Sequence, residues 1–175
     1  MNNSLIRSAK SIDAKSIAII HMHSGKKAHE DFVPNSILNE ISVLERTRQW
    51  LGLIEEGLDT LVVETENKII GFITLGEYRD EAEISAIYLL PQYWNKNFGT
   101  ELCTFAINKL SKAGYKEAFV WVLADSEPAR MFYEKLGFQE TEETTLEELD
   151  DGDDPLIKIL YKKTLLEYPQ KERRN

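Results

Sequence analysis

The spacing of apolar residues changes several times along this chain, and each change predicts an element. Leu5, Ile6 and Arg7 form a short strand candidate. From Asp13, a residue type suited to capping a helix, the positions Ile17, Ile20 and His21 recur at helical spacing. Pro34 opens a second helix whose buried stripe is Ile37, Leu38, Ile41, Leu44, Leu51 and Ile54, with Gly57 as stop signal. The period then shortens to that of strands. Residues 61–63 and 68–73 form a hairpin across the turn Glu66-Asn67, and a third strand, 82–90, stops at Pro91. Helical spacing returns over 98–113, with Phe98, Leu102, Phe105, Ala106, Leu110 and Ala113 on one face and Gly114 as cap. Residues 118–123 read as a strand and 127–136 as a helix ending at Gly137. Closing strands near 138–142 and 156–161 flank an acidic loop, 140–154. The predicted order is strand, two helices, three strands, helix, strand, helix, two strands. That is an α/β protein with a mixed sheet, in which 82–123 forms a right-handed parallel strand–helix–strand unit.

Length and composition narrow the class. With 175 residues the chain suits one domain, expected over 1–165 with a polar C-terminal tail at 166–175. No repeat or linker divides it. No run of eighteen apolar residues is available for a membrane span, and the start, Met1 to Arg7, lacks the pattern of a secretory signal. A cytoplasmic location without membrane partners is therefore expected. The formal charge of −9 repels phosphate backbones, which argues against nucleic acid as a partner. The same charge is compatible with a cationic substrate, although much of the excess sits in the acidic segment 140–154. Cys103 is the sole cysteine and lies in a helical run, so it reads as a small buried hydrophobe. The histidines are His21, His23 and His29, and helical spacing turns the first two apart, so no metal site is expected.

Candidate chemistry begins at the junction of the third strand and third helix. Residues 89–100 place Leu89, Leu90, Trp94, Asn95, Lys96, Asn97, Phe98, Gly99 and Thr100 where helix N-terminal amides and the helix dipole create an anion site. Gly99 offers little bulk and free backbone choice, Asn95 and Asn97 tolerate positive φ, and Lys96 supplies a cation that can face phosphate. An ordinary left-handed turn ahead of a helix would carry the same residues. The stretch resembles motif A of the GNAT superfamily of acetyl-CoA-dependent N-acetyltransferases, written Arg/Gln-x-x-Gly-x-Gly/Ala. Trp94, Asn97 and Gly99 stand at the defined positions, the first two as departures from the pattern.

A second segment, 125–138, resembles motif B of the same superfamily, Asn-x-x-x-Ala-x-x-Phe-Tyr-x-x-x-Gly-Phe. Ala129, Phe132, Tyr133, Gly137 and Phe138 match it, and Asp125 replaces the Asn. Helical spacing puts Ala129, Phe132, Tyr133 and Leu136 on one face, with Phe132 expected in the core. The resemblance implies the GNAT fold: a twisted, mostly antiparallel sheet of about seven strands with one splayed parallel pair, flanked by about four helices. It implies acetyl-CoA as acetyl donor, bound by residues 89–100 with Asp125, Ala129 and Tyr133, and a pantetheine arm slotted between the splayed strands. It also implies a backbone N–H near Leu89 or Leu90 as oxyanion donor, and Tyr133 as general acid to the thiolate. Glu83 matches the position of a base glutamate in histone-acetylating members, though a strand-edge carboxylate would look the same. The expected activity is acetyl transfer to a primary amine of a small molecule or peptide, without a metal. The alternative is a non-catalytic acetyl-CoA-binding sensor or interaction module. The acceptor is expected to touch the first two helices and the loops around Trp50 and Tyr78. A homodimer stays open, since no interface stripe demands one.

Overall fold

In the computed structural model, residues 4–29, 42–148 and 155–166 are described, with side chains of the first helix described as far as Ser24. The elements follow in chain order as β1 (Ser4–Ser8), α1 (Ala14–His29), α2 (Val43–Glu55), β2 (Asp59–Thr65), β3 (Lys68–Tyr78), β4 (Glu81–Leu89), α3 (Phe98–Ala113), β5 (Glu117–Leu123), α4 (Glu127–Lys135), β6 (Gln139–Glu147) and β7 (Leu156–Thr164). The order matches the sequence expectation. The seven strands form one sheet, ordered β1-β2-β3-β4-β5-β7-β6. Every neighbouring pair is antiparallel except β4 and β5, which are parallel.

Two cores sandwich this sheet. On one face α3 and α4 bury Phe98, Leu102, Cys103, Ala106, Leu110 and Tyr133 against Leu61, Val63, Ile73, Ile84, Val120 and Val122. On the other, α1 and α2 bury Ile17, Ala18, Ile20 and Trp50 against Val62, Phe72 and Leu90. At about 25 cal/mol per Å² of buried apolar surface, such stripes are the main force holding helices to the sheet.

Several local expectations are corrected. Asp13 closes a short 3₁₀ turn and does not cap α1 with its side chain; its buried carboxylate accepts from the Lys10 N–H at 2.8 Å and from the Arg7 guanidinium at 2.7 and 3.1 Å. The start at Pro34 and the positions Ile37, Leu38 and Ile41 lie outside the described residues. The described helix α2 is set by a capping box: Ser42 accepts from the Glu45 N–H, and Glu45 accepts from the Ser42 N–H. That start fixes a phase in which Trp50 is buried and Leu44 is 59% exposed, against the expected stripe. Phe105 is likewise exposed, because the sheet meets α3 on the side of Leu102, Cys103, Ala106 and Leu110. The acidic stretch is largely strand: β6 runs to Glu147 and pairs with β7 through Thr144, Thr145 and Leu146. As the outer strand of the sheet, β6 can be rich in Thr and Glu, and its charges discourage edge pairing. Residues 149–154, and the tail from residue 167, lie outside the described residues.

Candidate active site

The parallel pair is short, and its shortness makes the site. β4 and β5 pair only at Ala82–Ala118 and Glu83–Phe119, after which no register joins them. A β-bulge falls at the point of divergence. Thr74 faces Ala86 while its neighbour Leu75 faces Ile84, which leaves Ser85 as the extra residue. The bulge shifts the pleat by one. Before it, Ala82 and Ile84 point to the α3 face; beyond it, Leu89 joins that core, and Tyr88 packs with the α1/α2 cluster.

The ladder also fixes where the backbone of β4 aims. Leu90 donates its N–H to Ile70 O at 2.9 Å, in register with the Gly71–Leu89 and Phe72–Tyr88 pairs. Antiparallel alternation then turns the N–H and C=O of Ile87 and Leu89 away from β3, toward the gap left by β5. Of the two amides expected as oxyanion donors, Leu90 is therefore spent on the sheet and Leu89 faces the gap. Ile87 joins it, a position that sequence reasoning missed because only the register reveals it. The Leu89 carbonyl is held by two donors, Ser24 Oγ and Trp94 Nε1, each at 2.7 Å. Trp94 thus uses its one polar atom to fix the end of β4, while its ring stays 38% exposed at the site. Ser24, buried in α1, carries no sequence signal for this role.

At the end of that edge lies the helix start of the motif. Asn95 and Asn97 adopt left-handed conformations, with φ of 58° and 67°. Gly99 does not; it sits in the first turn of α3 without positive φ, and a Cβ there would meet Phe132 and Leu89 side chains at 3.5 and 3.6 Å. The conformational demand expected of Gly99 therefore falls on the two asparagines. Asn97, the N-cap, makes no side-chain cap, so the first-turn amides at Phe98, Gly99 and Thr100 carry no side-chain acceptor from it. The Lys96 ammonium lies 5.7 Å from the Tyr93 ring centroid beside them. An uncapped helix start, flanked by a lysine and opening onto a strand edge, fits a diphosphate. Asp125 is exposed just past the end of β5, and Ala129 is half-buried on α4 against the core.

Tyr133 comes from α4 into the same region, where the burial of the two motif aromatics is the reverse of that expected. Phe132 is half-buried and lies under Gly99, whereas Tyr133 is the more enclosed, 6% exposed. Its ring meets Phe132 and Phe138 edge-on at centroid distances of 5.1 and 5.5 Å. Its hydroxyl makes no hydrogen bond among the described residues. Among the described residues only Arg46 Nε is both sealed and unpartnered. Burial pushes the phenol well above its ordinary value, and electrostatic coupling to Cys103 and Tyr88 adds to the shift. Cys103 is wholly buried, as its helical position predicted, and burial pushes its thiol up to about 12.

Glu83 lies on the α1/α2 side of β4 with its Oε2 accepting from Ser85 Oγ at 3.3 Å. Both lie over Gly76, where a Cβ would meet Ser85 Oγ at 2.8 Å. Around them Tyr78 stacks edge-on with Phe119 and Trp121, at 5.4 and 5.9 Å. Further along that face His21, Trp50, Phe72 and Tyr88 form an aromatic cluster, and Trp50 Nε1 donates to His21 Nδ1 at 3.2 Å.

Comparison with known proteins agrees with this arrangement. The profile of the acetyltransferase (GNAT) family matches residues 26–138. The chain is 28% identical over 134 residues to the uncharacterized N-acetyltransferase YuaI of Bacillus subtilis, covering 74% of this chain and 76% of that protein. It is 31% identical over 132 residues to a spermidine N(1)-acetyltransferase of Thermoplasma acidophilum, covering 75% and 73%. In fold it resembles the crystal structure of the PaiA N-acetyltransferase of Thermoplasma acidophilum in complex with coenzyme A, with a TM-score of 0.70, 21% identity, and coverage of 89% of this chain and 98% of that one. With a matched segment spanning well over half its length, this chain belongs to the GNAT family and is an acetyl-transferring enzyme, an N-acetyltransferase.

Proposed function

We propose that the enzyme transfers the acetyl group of acetyl-CoA to a primary amine across the gap between β4 and β5. The observation that carries this reading is the two-pair β4/β5 ladder followed by an open strand edge that ends at an uncapped helix start. The amides of Phe98, Gly99 and Thr100, with Asn95, Asn97 and Lys96, hold the diphosphate. The pantetheine arm completes the sheet along Ile87 and Leu89, with Asp125 and Ala129 on the opposite wall. Because the Leu89 carbonyl is already engaged twice, the edge offers chiefly the Leu89 N–H and the Ile87 peptide.

When bound, acetyl-CoA supplies an activated thioester. The amine nitrogen adds to the acetyl carbon from the α1/α2 side, where Glu83 or a water held by it accepts the amine proton. The Ile87 and Leu89 N–H groups face the oxygen charge that develops, as fixed dipoles in a dry gap. The C–S bond then breaks, and Tyr133 gives its proton to the departing sulfur; solvent later reprotonates the phenol. The products are the N-acetylated amine and free coenzyme A.

The spermidine acetyltransferase relative and the coenzyme A complex of the PaiA enzyme support an amine acceptor and a coenzyme A donor for this chain. The test is thiol release from acetyl-CoA with a panel of polyamines, amino acids, aminoglycosides and peptide N-termini. Amine-dependent release above the hydrolytic background is expected. Tight acetyl-CoA binding with no turnover on any amine would overturn the reading.

A further inference from the structure

One charged side chain on the acceptor face is unaccounted for. Arg46 sits in the first turn of α2, where a cation opposes the helix dipole. It is half-buried, its Nε is sealed from solvent, and no described residue gives its guanidinium a hydrogen bond or an ion pair. A sealed Nε–H without an acceptor is unfavourable to folding, since it loses its hydration for nothing. Its place is specific. Arg46 and Trp50 share one side of α2, four residues apart, and Trp50 packs on Phe72, which faces Tyr88 across the β3/β4 ladder. The carboxylate that also lies within electrostatic reach of Tyr88, Glu147, is already paired with Lys158 at 2.5 Å. Among the described residues the positive charge of Arg46 is thus uncompensated, within electrostatic reach of Tyr88, in a protein whose net charge is −9.

We propose that Arg46 is the acceptor anchor: its guanidinium binds a carboxylate on the amine substrate, so that the enzyme prefers amines that are also carboxylic acids. The terminal Nη1 and Nη2 of a planar guanidinium form a fork that suits bidentate pairing with a carboxylate. The diphosphate cradle lies on the other face of the sheet, at the start of α3, so it does not satisfy this arginine. A polyamine, having no anion, would leave Arg46 as it stands in the unliganded protein. The inference rests on the acyl-transfer reading but is separable from it.

The experiment pairs glycine, β-alanine, 4-aminobutyrate and L-methionine with their amides, adds spermidine and tyramine, and measures thiol release. Calorimetry on the coenzyme A-loaded enzyme measures binding of the same compounds. The acids are expected to outperform their amides, and Arg46→Gln should raise KM for the acids roughly tenfold to a hundredfold, with kcat and the amides little changed. Arg46→Lys should recover only part of the loss, since it keeps the charge without the fork. Because no described residue pairs with the Arg46 guanidinium, Arg46→Gln should leave the melting temperature unchanged or higher. If acids bind in an Arg46-dependent way and no amine turns over, the anchor stands and acyl transfer falls. If amides or carboxylate-free amines are acetylated as well as the acids, with Arg46→Gln neutral, the anchor falls and acyl transfer stands.

Discussion

Replacing Tyr133 by Phe removes one oxygen and nothing else, which isolates the acid role proposed for that oxygen. It makes no hydrogen bond among the described residues, and its ring is held by Phe132 and Phe138, contacts that Phe preserves. The melting temperature should therefore stay within a degree or two, or rise, because an unpaired hydroxyl in a buried site is a cost. Activity should fall by about 10²–10⁴-fold in kcat, the usual contribution of a positioned acid. At ordinary values, a phenol near 10 giving its proton to a thiolate near 8.5 is uphill by about 2 kcal/mol. Burial raises the phenol further, which by itself makes transfer harder. In the proposed reaction the leaving thiolate forms beside this enclosed ring, and burial raises a thiol as well, as it does for Cys103, pushed up to about 12. Desolvation thus strengthens the base along with weakening the acid, and the mismatch stays within reach of enzymatic catalysis. The sign of the phenol shift also sets the pH behaviour. A group whose value is raised stays protonated below it, so the Tyr133→Phe defect should be constant from pH 6 to 9. The assays are thiol release at saturating acetyl-CoA, calorimetric binding of acetyl-CoA and thermal melting. A loss of less than about threefold in kcat, or a defect confined to acetyl-CoA binding, would refute the acid role.

Glu83→Gln should cut turnover most at low pH, where bulk solvent deprotonates the amine least; an unaltered pH–rate profile would remove Glu83 from the proton path. Cys103, with its thiol raised by burial, should resist alkylation in the native enzyme at pH 8 and react stoichiometrically after unfolding, and rapid native labelling would contradict its burial. Asp13 is held below the ordinary carboxylate range, foremost by hydrogen bonding to Arg7. With a depressed folded value, its contribution to stability is present above the unfolded value near 3.9 and is lost as pH falls through the folded one. Asp13→Ala should cost about 2–3 kcal/mol at pH 7, below the range for a fully buried pair because Arg7 keeps Glu64 and some solvent. In melting experiments that difference should shrink as pH falls through the depressed folded value of Asp13, where the wild type loses the same contribution.

Much of the cofactor end was legible in the chain. The residues of 89–100 and 125–138 proposed for it lie close in sequence, and their observed features are local backbone: a strand end, left-handed asparagines and a helix start. Motif spacing captures such arrangements even where Trp94 departs from the pattern. The acceptor end was far less legible. Leu44 and Phe105 satisfied helical spacing and still came out exposed, since spacing says which residues share a face but not how wide a stripe the sheet covers. Trp50, Ser24 and Arg46 sit on helices with no motif, and each matters through a partner, or a missing partner, remote in sequence.

By itself the sequence determined the order of elements, the mixed sheet and the family, because apolar period, turn residues and motif spacing are short-range properties of the chain. Only the tertiary structure decided which groups meet at the gap. The bulge at Ser85 puts Glu83 and Tyr88, an odd number of residues apart, on the same side of the sheet, where an unbroken strand would have separated them. It decided that Leu89 and Ile87, not Leu90, aim amides at the gap, that Trp94 serves the Leu89 carbonyl, and that Arg46 Nε is sealed without a partner among the described residues. These outcomes depend on register and on long-range packing, where a shift of one residue reverses a side chain, and no local pattern encodes that shift.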